Sequence, residues 1–175
     1  MMMDLKSYIR EVADFPQPGI SFKDITTLIG DAGAYREVVD RITDHFRDKG
    51  ITRVVSLESR GFIVGGALAY RLGAGFVPIR KAGKLPASTI SMSYALEYGT
   101  DTIEIHADAL SEKDVVLIHD DLLATGGTAL AALQLVRKMK VAAIHLSFIC
   151  DLQFIQTPLK EELQKYHPHV LVRYP

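Results

Sequence analysis

The 175 residues suffice for one domain with a buried core, and 48% hydrophobic against 23% charged residues is the balance of a folded chain rather than a disordered one. A formal net charge of −1 supplies no global basic field for nucleic acid or an anionic membrane, so neither is expected as a partner and a polyanion site must be built locally. The single cysteine, Cys150, excludes an intrachain disulfide and closes an apolar run, where it reads as a small buried hydrophobe in a reducing, cytoplasmic setting.

No basic region followed by an apolar stretch opens the chain, so no secretory signal is expected, and no apolar run is long enough to span a bilayer. Leu5, Tyr8, Ile9 and Val12 recur at helical spacing and predict a short amphipathic helix. Pro16, Pro18 and Gly19 then impose a stiff turn. A second helix is predicted over 34–47, with Tyr35, Val38, Val39, Ile42 and Phe46 on one face and Gly50 as its stop.

From residue 53 strands and helices alternate: strand 53–57, helix 62–72, strand 75–79, strand 114–119, helix 128–139 and strand 142–149. Strands nearly continuous in apolar residues, alternating with helices, predict an α/β fold whose parallel sheet is covered on both faces. No repeat, low-complexity segment or linker divides the chain, so residues 1–175 are expected to form one domain. Residues 80–94 are rich in Lys, Gly, Ser and Thr, and partial alternation over 93–106 suggests a hairpin-like excursion. Such a polar insertion is more often a functional lid than filler. The last stretch, helical over 159–166 with a possible edge strand over 170–174, carries no chemical signal.

The strongest chemical feature lies between strand 114–119 and helix 128–139. Asp120 and Asp121 follow the apolar strand, and Ala124, Thr125, Gly126, Gly127 and Thr128 lead into the helix. Ligands of open parallel sheets bind at the carboxyl ends of the strands, where this loop must lie. Glycines let backbone amides approach an anion, the helix N-terminus adds partial positive charge, and both threonines can donate hydroxyl hydrogen bonds. Adjacent carboxylates repel a phosphate at contact range, so their partner must be neutral or cationic: sugar hydroxyls or a bound Mg²⁺. No lysine follows the glycine pair, so the loop is not a nucleotide P-loop.

This run resembles the phosphoribosyl pyrophosphate motif of type I phosphoribosyltransferases. The resemblance implies their fold, a parallel twisted sheet flanked by helices with an N-terminal hood (about 1–33) and a flexible lid (about 80–106). It assigns the ribose to Asp120 and Asp121 and the 5-phosphate to residues 124–128. His119 stands where the family has an apolar residue, and reads as a strand histidine packed in place.

Three further segments are similar to the adenine phosphoribosyltransferases within that family. Residues 15–25 resemble the hood, which gives Ser21, Phe22 and the Lys23 backbone to adenine, the aromatic stacking on the base. Glu58, Ser59 and Arg60 resemble the pyrophosphate loop, although without the family Glu58 and Arg60 read equally well as a surface ion pair. Residues 80–86, with Arg80, Lys81 and Lys84, followed by Ser93-Tyr94-Ala95-Leu96-Glu97-Tyr98-Gly99, resemble the catalytic lid, which faces the three cations to pyrophosphate and gives Glu97 an acid/base role near the purine.

The resemblance implies the reaction of adenine with 5-phosphoribosyl 1-pyrophosphate to AMP and pyrophosphate, a step of purine salvage. Its implied catalytic residues are Glu97, Arg60, Arg80 and Lys84, with Mg²⁺ carried by the substrate near Asp120 and Asp121, in a homodimer. A phosphoribosyltransferase for another purine would keep the donor site. So would a non-catalytic sensor of the donor, although no helix-turn-helix or basic patch is evident. The match weakens beyond Cys150: Asp151 stands where the family has glutamate, and 137–140 lacks its glycine turn.

Overall fold

A computed structural model describes residues 2–96 and 98–175. The expected helix over the first dozen residues is not formed. A single 3-10 turn, Leu5–Tyr8, leads into strand β1 (Arg10–Ala13), which pairs antiparallel with β2 (Ser21–Asp24). The apolar spacing is met by another geometry: Leu5 and Ile9 enter the core from the turn and its cap, while a 2.6 Å ion pair from Arg10 to Asp24 braces the ribbon. A short helix that the periodicity did not signal, α1 (Thr26–Gly30), precedes α2 (Ala32–Phe46), whose first turn is capped by Asp31 accepting from the Ala34 amide at 2.8 Å.

The alternation then follows the expected order. It comprises β3 (Arg53–Leu57), α3 (Gly61–Leu72), β4 (Gly75–Lys81), β5 (Thr89–Ala95), β6 (Thr100–His106), β7 (Val115–Leu123), α4 (Gly127–Lys138), β8 (Ala143–Leu152), α5 (Pro158–Gln164) and β9 (His169–Tyr174). Seven strands form one sheet in the order β5-β6-β4-β3-β7-β8-β9. Five of them, β4 to β9 in that order, are parallel; β6 and β5 add antiparallel to the β4 edge. The polar insertion extends the sheet as paired strands, and its alternating pattern reflects a hairpin exposed along one side.

Two apolar cores sandwich the sheet. Val54 and Leu117 pack with Val38, Ile42, Val64 and Leu68 of α2 and α3, while Val55, Val116, Ile118 and Phe148 pack with Ala132, Leu135 and Val136 of α4. The chain leaves β3 toward β4 on one side and β7 toward β8 on the other, so the winding reverses between β3 and β7. Loops diverge at such a point and open a crevice at the strands' carboxyl ends.

One polar row crosses this interior. Ser56, His119, Ser147 and His169 are register partners on β3, β7, β8 and β9. His119 is completely buried, its Nδ1 lies 3.4 Å from Ser147 Oγ, and burial pushes its pKa down to about 3, with His169 adding to the effect. It is a packed strand histidine, neutral at physiological pH.

Candidate active site

The crevice is built from the ends of β3 and β7. Strand pairing runs through Leu123, so Asp120 and Asp121 lie within β7 rather than after its end, which fixes their backbone in the sheet. Asp121 is 3% exposed and its carboxylate lies 2.7 Å from Arg60 Nε. Asp120 is set deep in the cleft wall, where its Oδ1 accepts the Asp121 amide at 2.8 Å. Burial, then the neighbouring Asp121 charge, pushes the Asp120 carboxyl well above the usual carboxylate range. Gly61 admits this packing, since a Cβ there would lie 2.8 Å from Asp120 Oδ1.

The following loop turns into α4 through a left-handed glycine. Gly126 adopts φ +91°, a conformation costly for any residue with a Cβ, and α4 starts immediately after it. The first-turn amides of α4 lack intrahelical acceptors, and the twelve-residue helix adds its dipole. The Thr128 hydroxyl donates to the Tyr94 hydroxyl at 3.2 Å, so the hairpin rests on the loop.

Glu58, Ser59 and Arg60 lie between β3 and α3, with a cis peptide bond joining Glu58 to Ser59. Glu58 accepts from the Lys81 amide and, at 3.3 Å, from Arg80 Nη2. Burial raises its pKa, but these two donors outweigh that and the net direction is down. The Lys81 ammonium lies 3.2 Å from Asp101. Glu58, Ser59, Arg60, Lys81 and residues 120–129 thus line one cleft of about 620 Å³ with Tyr94, Leu96 and Asp101.

Other residues singled out in the sequence lie off this lining. Phe22 sits beside it: the Arg60 guanidinium is 5.1 Å from its ring centroid, and Phe15 abuts it edge-on at 5.2 Å. Lys23 directs its side chain away to Glu11, at 2.8 Å, and over the Tyr174 ring, while the Ser21 hydroxyl is engaged by Lys23 and Glu11. Arg80 is held against Glu58, and Lys84 is exposed on the turn after β4. Glu97 lies outside the described residues.

Tyr94 and Asp101 fall within the lid segment expected from the sequence, but the sequence assigns neither a role, because their approach to the loop depends on how the hairpin pairs with β4. Nor did the sequence signal Thr157 and Lys160, behind the loop. Thr157-Pro158 is a readable helix start, but nothing in it points to a site 30 residues earlier. Chemically, the cleft offers carboxylates that can accept from sugar hydroxyls, an anion cradle beside them, and Arg60 and Lys81 across from it.

Comparison with known proteins bears on what uses this cleft. Residues 29–168 match the model of the phosphoribosyl transferase domain. The adenine phosphoribosyltransferase of Bacteroides fragilis is 59% identical over 145 residues, covering 83% of this chain and 82% of that protein. That of Brachyspira hyodysenteriae is 46% identical and covers 98% of this chain and 100% of its own.

The chain belongs to the adenine phosphoribosyltransferase family.

Family membership makes it a pentosyltransferase, and the fold agrees. The crystal structure of the family member from Rhodothermus marinus superposes with a TM-score of 0.90 at 47% identity, covering 97% of this chain and 96% of that one. The Giardia lamblia member, solved with 9-deazaadenine, gives 0.91 at 38% identity over 98% and 97%.

Proposed function

We propose that this chain joins N9 of adenine to C1 of 5-phosphoribosyl 1-pyrophosphate, giving AMP and pyrophosphate. The observation that carries the reading is the cleft at the sheet's switch point, where Asp120, Asp121 and residues 124–128 face the Glu58–Arg60 turn. In this reading the 5-phosphate takes the loop and the α4 amides, and the ribose hydroxyls donate to Asp120 and Asp121. Displacing Arg60 from Asp121 frees its guanidinium for the leaving pyrophosphate, with Lys81 released likewise from Asp101. Arg80 orients Glu58 and through it the Lys81 backbone, and Lys84 adds charge from the turn. Ser59 contributes backbone donors, Phe22 the stacking face for adenine, and Ser21 and Lys23 the contacts to its edge.

As the C1–oxygen bond breaks, its electron pair leaves with pyrophosphate and positive charge develops on the ribose ring; the N9 lone pair then closes on C1. The protein supplies placement and charge stabilisation. The proton of N9 leaves as the bond forms, and Glu97 is assigned to it. Arg60 pairs with Asp121 and Asp120 lies beside it, so the two carboxyl groups offer hard oxygen donors beside a magnesium-bearing substrate. Mg²⁺ there would offset charge growing on pyrophosphate.

A homodimer belongs to the same reading. Ile63 and Tyr70 on α3, with Phe76 beginning β4 next to it, leave an apolar face 45%, 86% and 38% exposed, which a second copy would cover. A cytoplasmic setting fits the free, buried thiol of Cys150.

The test is a panel of bases. Purified protein, Mg²⁺ and the donor are incubated with adenine, hypoxanthine, guanine or xanthine, and nucleotide formation is followed. AMP from adenine alone is expected. Turnover of a 6-oxopurine would overturn the choice of base, and no product with any base despite donor binding would point to a sensor.

A further inference from the structure

Behind the phosphate loop, on the side away from the cleft, lies a buried ion pair that the reaction as described does not use. Lys160 in α5 is 4% exposed, and its ammonium donates to Asp151 Oδ1 at 2.7 Å and to the Leu152 carbonyl at 2.8 Å. Both acceptors stand at the end of β8, which neighbours β7 in the sheet. Burying an ammonium and a carboxylate together is costly unless the geometry compensates, so the pair is weak as a source of stability. Its location suggests another use.

The ammonium pins the first turn of α5 against β8, and that turn is the floor of the loop. The Thr157 hydroxyl, capping α5, donates to the Thr125 carbonyl at 2.5 Å and accepts from the Lys160 amide at 3.2 Å. A Cβ on Gly126 would lie 3.0 Å from Lys160 Cγ and 3.2 Å from Lys160 N, so the stem of this lysine lies directly beneath the left-handed residue of the loop. Leu163 closes the same floor at 3.3 Å.

We infer that Lys160 is a positioning residue for the donor's 5-phosphate: through its pair with Asp151 it holds α5, and through Thr157 and its own stem it fixes the Thr125–Gly126 backbone whose amides face the phosphate. This rests on the assignment of residues 124–128 to the 5-phosphate. A loop held in its bound conformation gives up less entropy when the phosphate arrives, which tightens donor binding without touching the base or the bond being broken.

Steady-state kinetics of K160M and T157V alongside the wild type, with each substrate varied in turn, separate these effects. K160M keeps the stem and deletes the charge; T157V deletes only the hydroxyl that reaches Thr125. The expected result is a KM for 5-phosphoribosyl 1-pyrophosphate raised about tenfold, with KM for adenine unchanged and kcat within about threefold. A merely structural role would lower the melting temperature or the active fraction and leave both KM values alone, and that result in soluble K160M overturns the inference. If K160M does not fold, an unchanged donor KM in T157V overturns it instead. Wild-type protein that makes no AMP would overturn the functional reading itself, whereas an active wild type with unaltered donor KM in the variants would overturn only the role of Lys160.

Discussion

Acid should destabilise this protein through His119, and the size of the effect follows from its burial. An unfolded histidine takes up a proton near pH 6.5. In the folded chain burial, with His169 adding to it, holds His119 neutral down to about 3. Its folded pKa is depressed, so the unfolded state binds the extra proton and stability falls as pH drops below about 6.5. The slope is about 1.4 kcal/mol per pH unit, which amounts to about 2 kcal/mol at pH 5. Above pH 7 the term vanishes.

Urea denaturation of the wild type and His119→Val at pH 7.5 and pH 5 isolates it. The valine suits a central strand but leaves space, so its absolute stability should differ at both values. The informative quantity is the difference of differences: the wild type should lose about 2 kcal/mol more than the variant on acidification. His45, His145 and His169 are also shifted downward and titrate in both proteins, so their contribution largely cancels. Equal acid losses would mean that His119 gains a proton in the fold, and the reasoning from burial would fail.

Three other outcomes are expected. Asp121→Asn removes the charge that Arg60 faces at 2.7 Å and the acceptor assigned to ribose, so kcat/KM for the donor should fall by about 10- to 100-fold; unchanged donor kinetics would exclude Asp121 from the site. Gly65→Ala would set a Cβ 2.0 Å from Ser56 Oγ and 2.9 Å from Ser56 Cβ. It should cost about 2 kcal/mol, read as a drop of roughly 4–8 °C in melting temperature, with recovery in Gly65→Ala/Ser56→Gly; an unchanged melting temperature would contradict the close packing of α3 on β3. Glu97→Gln should lower turnover while leaving the dissociation constant of the donor nearly intact, and equal loss of both would sink its acid/base assignment.

The sequence by itself determined the alternation of strands and helices, because the central strands are buried on both faces and read as continuous apolar runs such as Val115–Ile118. It also marked the loop of the candidate site, because adjacent carboxylates, paired glycines and threonines between a strand and a helix are local chemistry within nine residues. The N-terminal segment shows where local reading stops: one apolar spacing serves a helix or a turn followed by a strand, and pairing with β2 chose the second. Only the tertiary structure set Arg60 on Asp121, Tyr94 on Thr128 and Thr157 on Thr125, pairs separated by roughly 30 to 60 residues. Such contacts depend on the order of strands in the sheet and on which end of each strand a loop leaves. Periodicity along the chain holds no record of that order; the packing of α3, α4 and α5 around the switch point decides it.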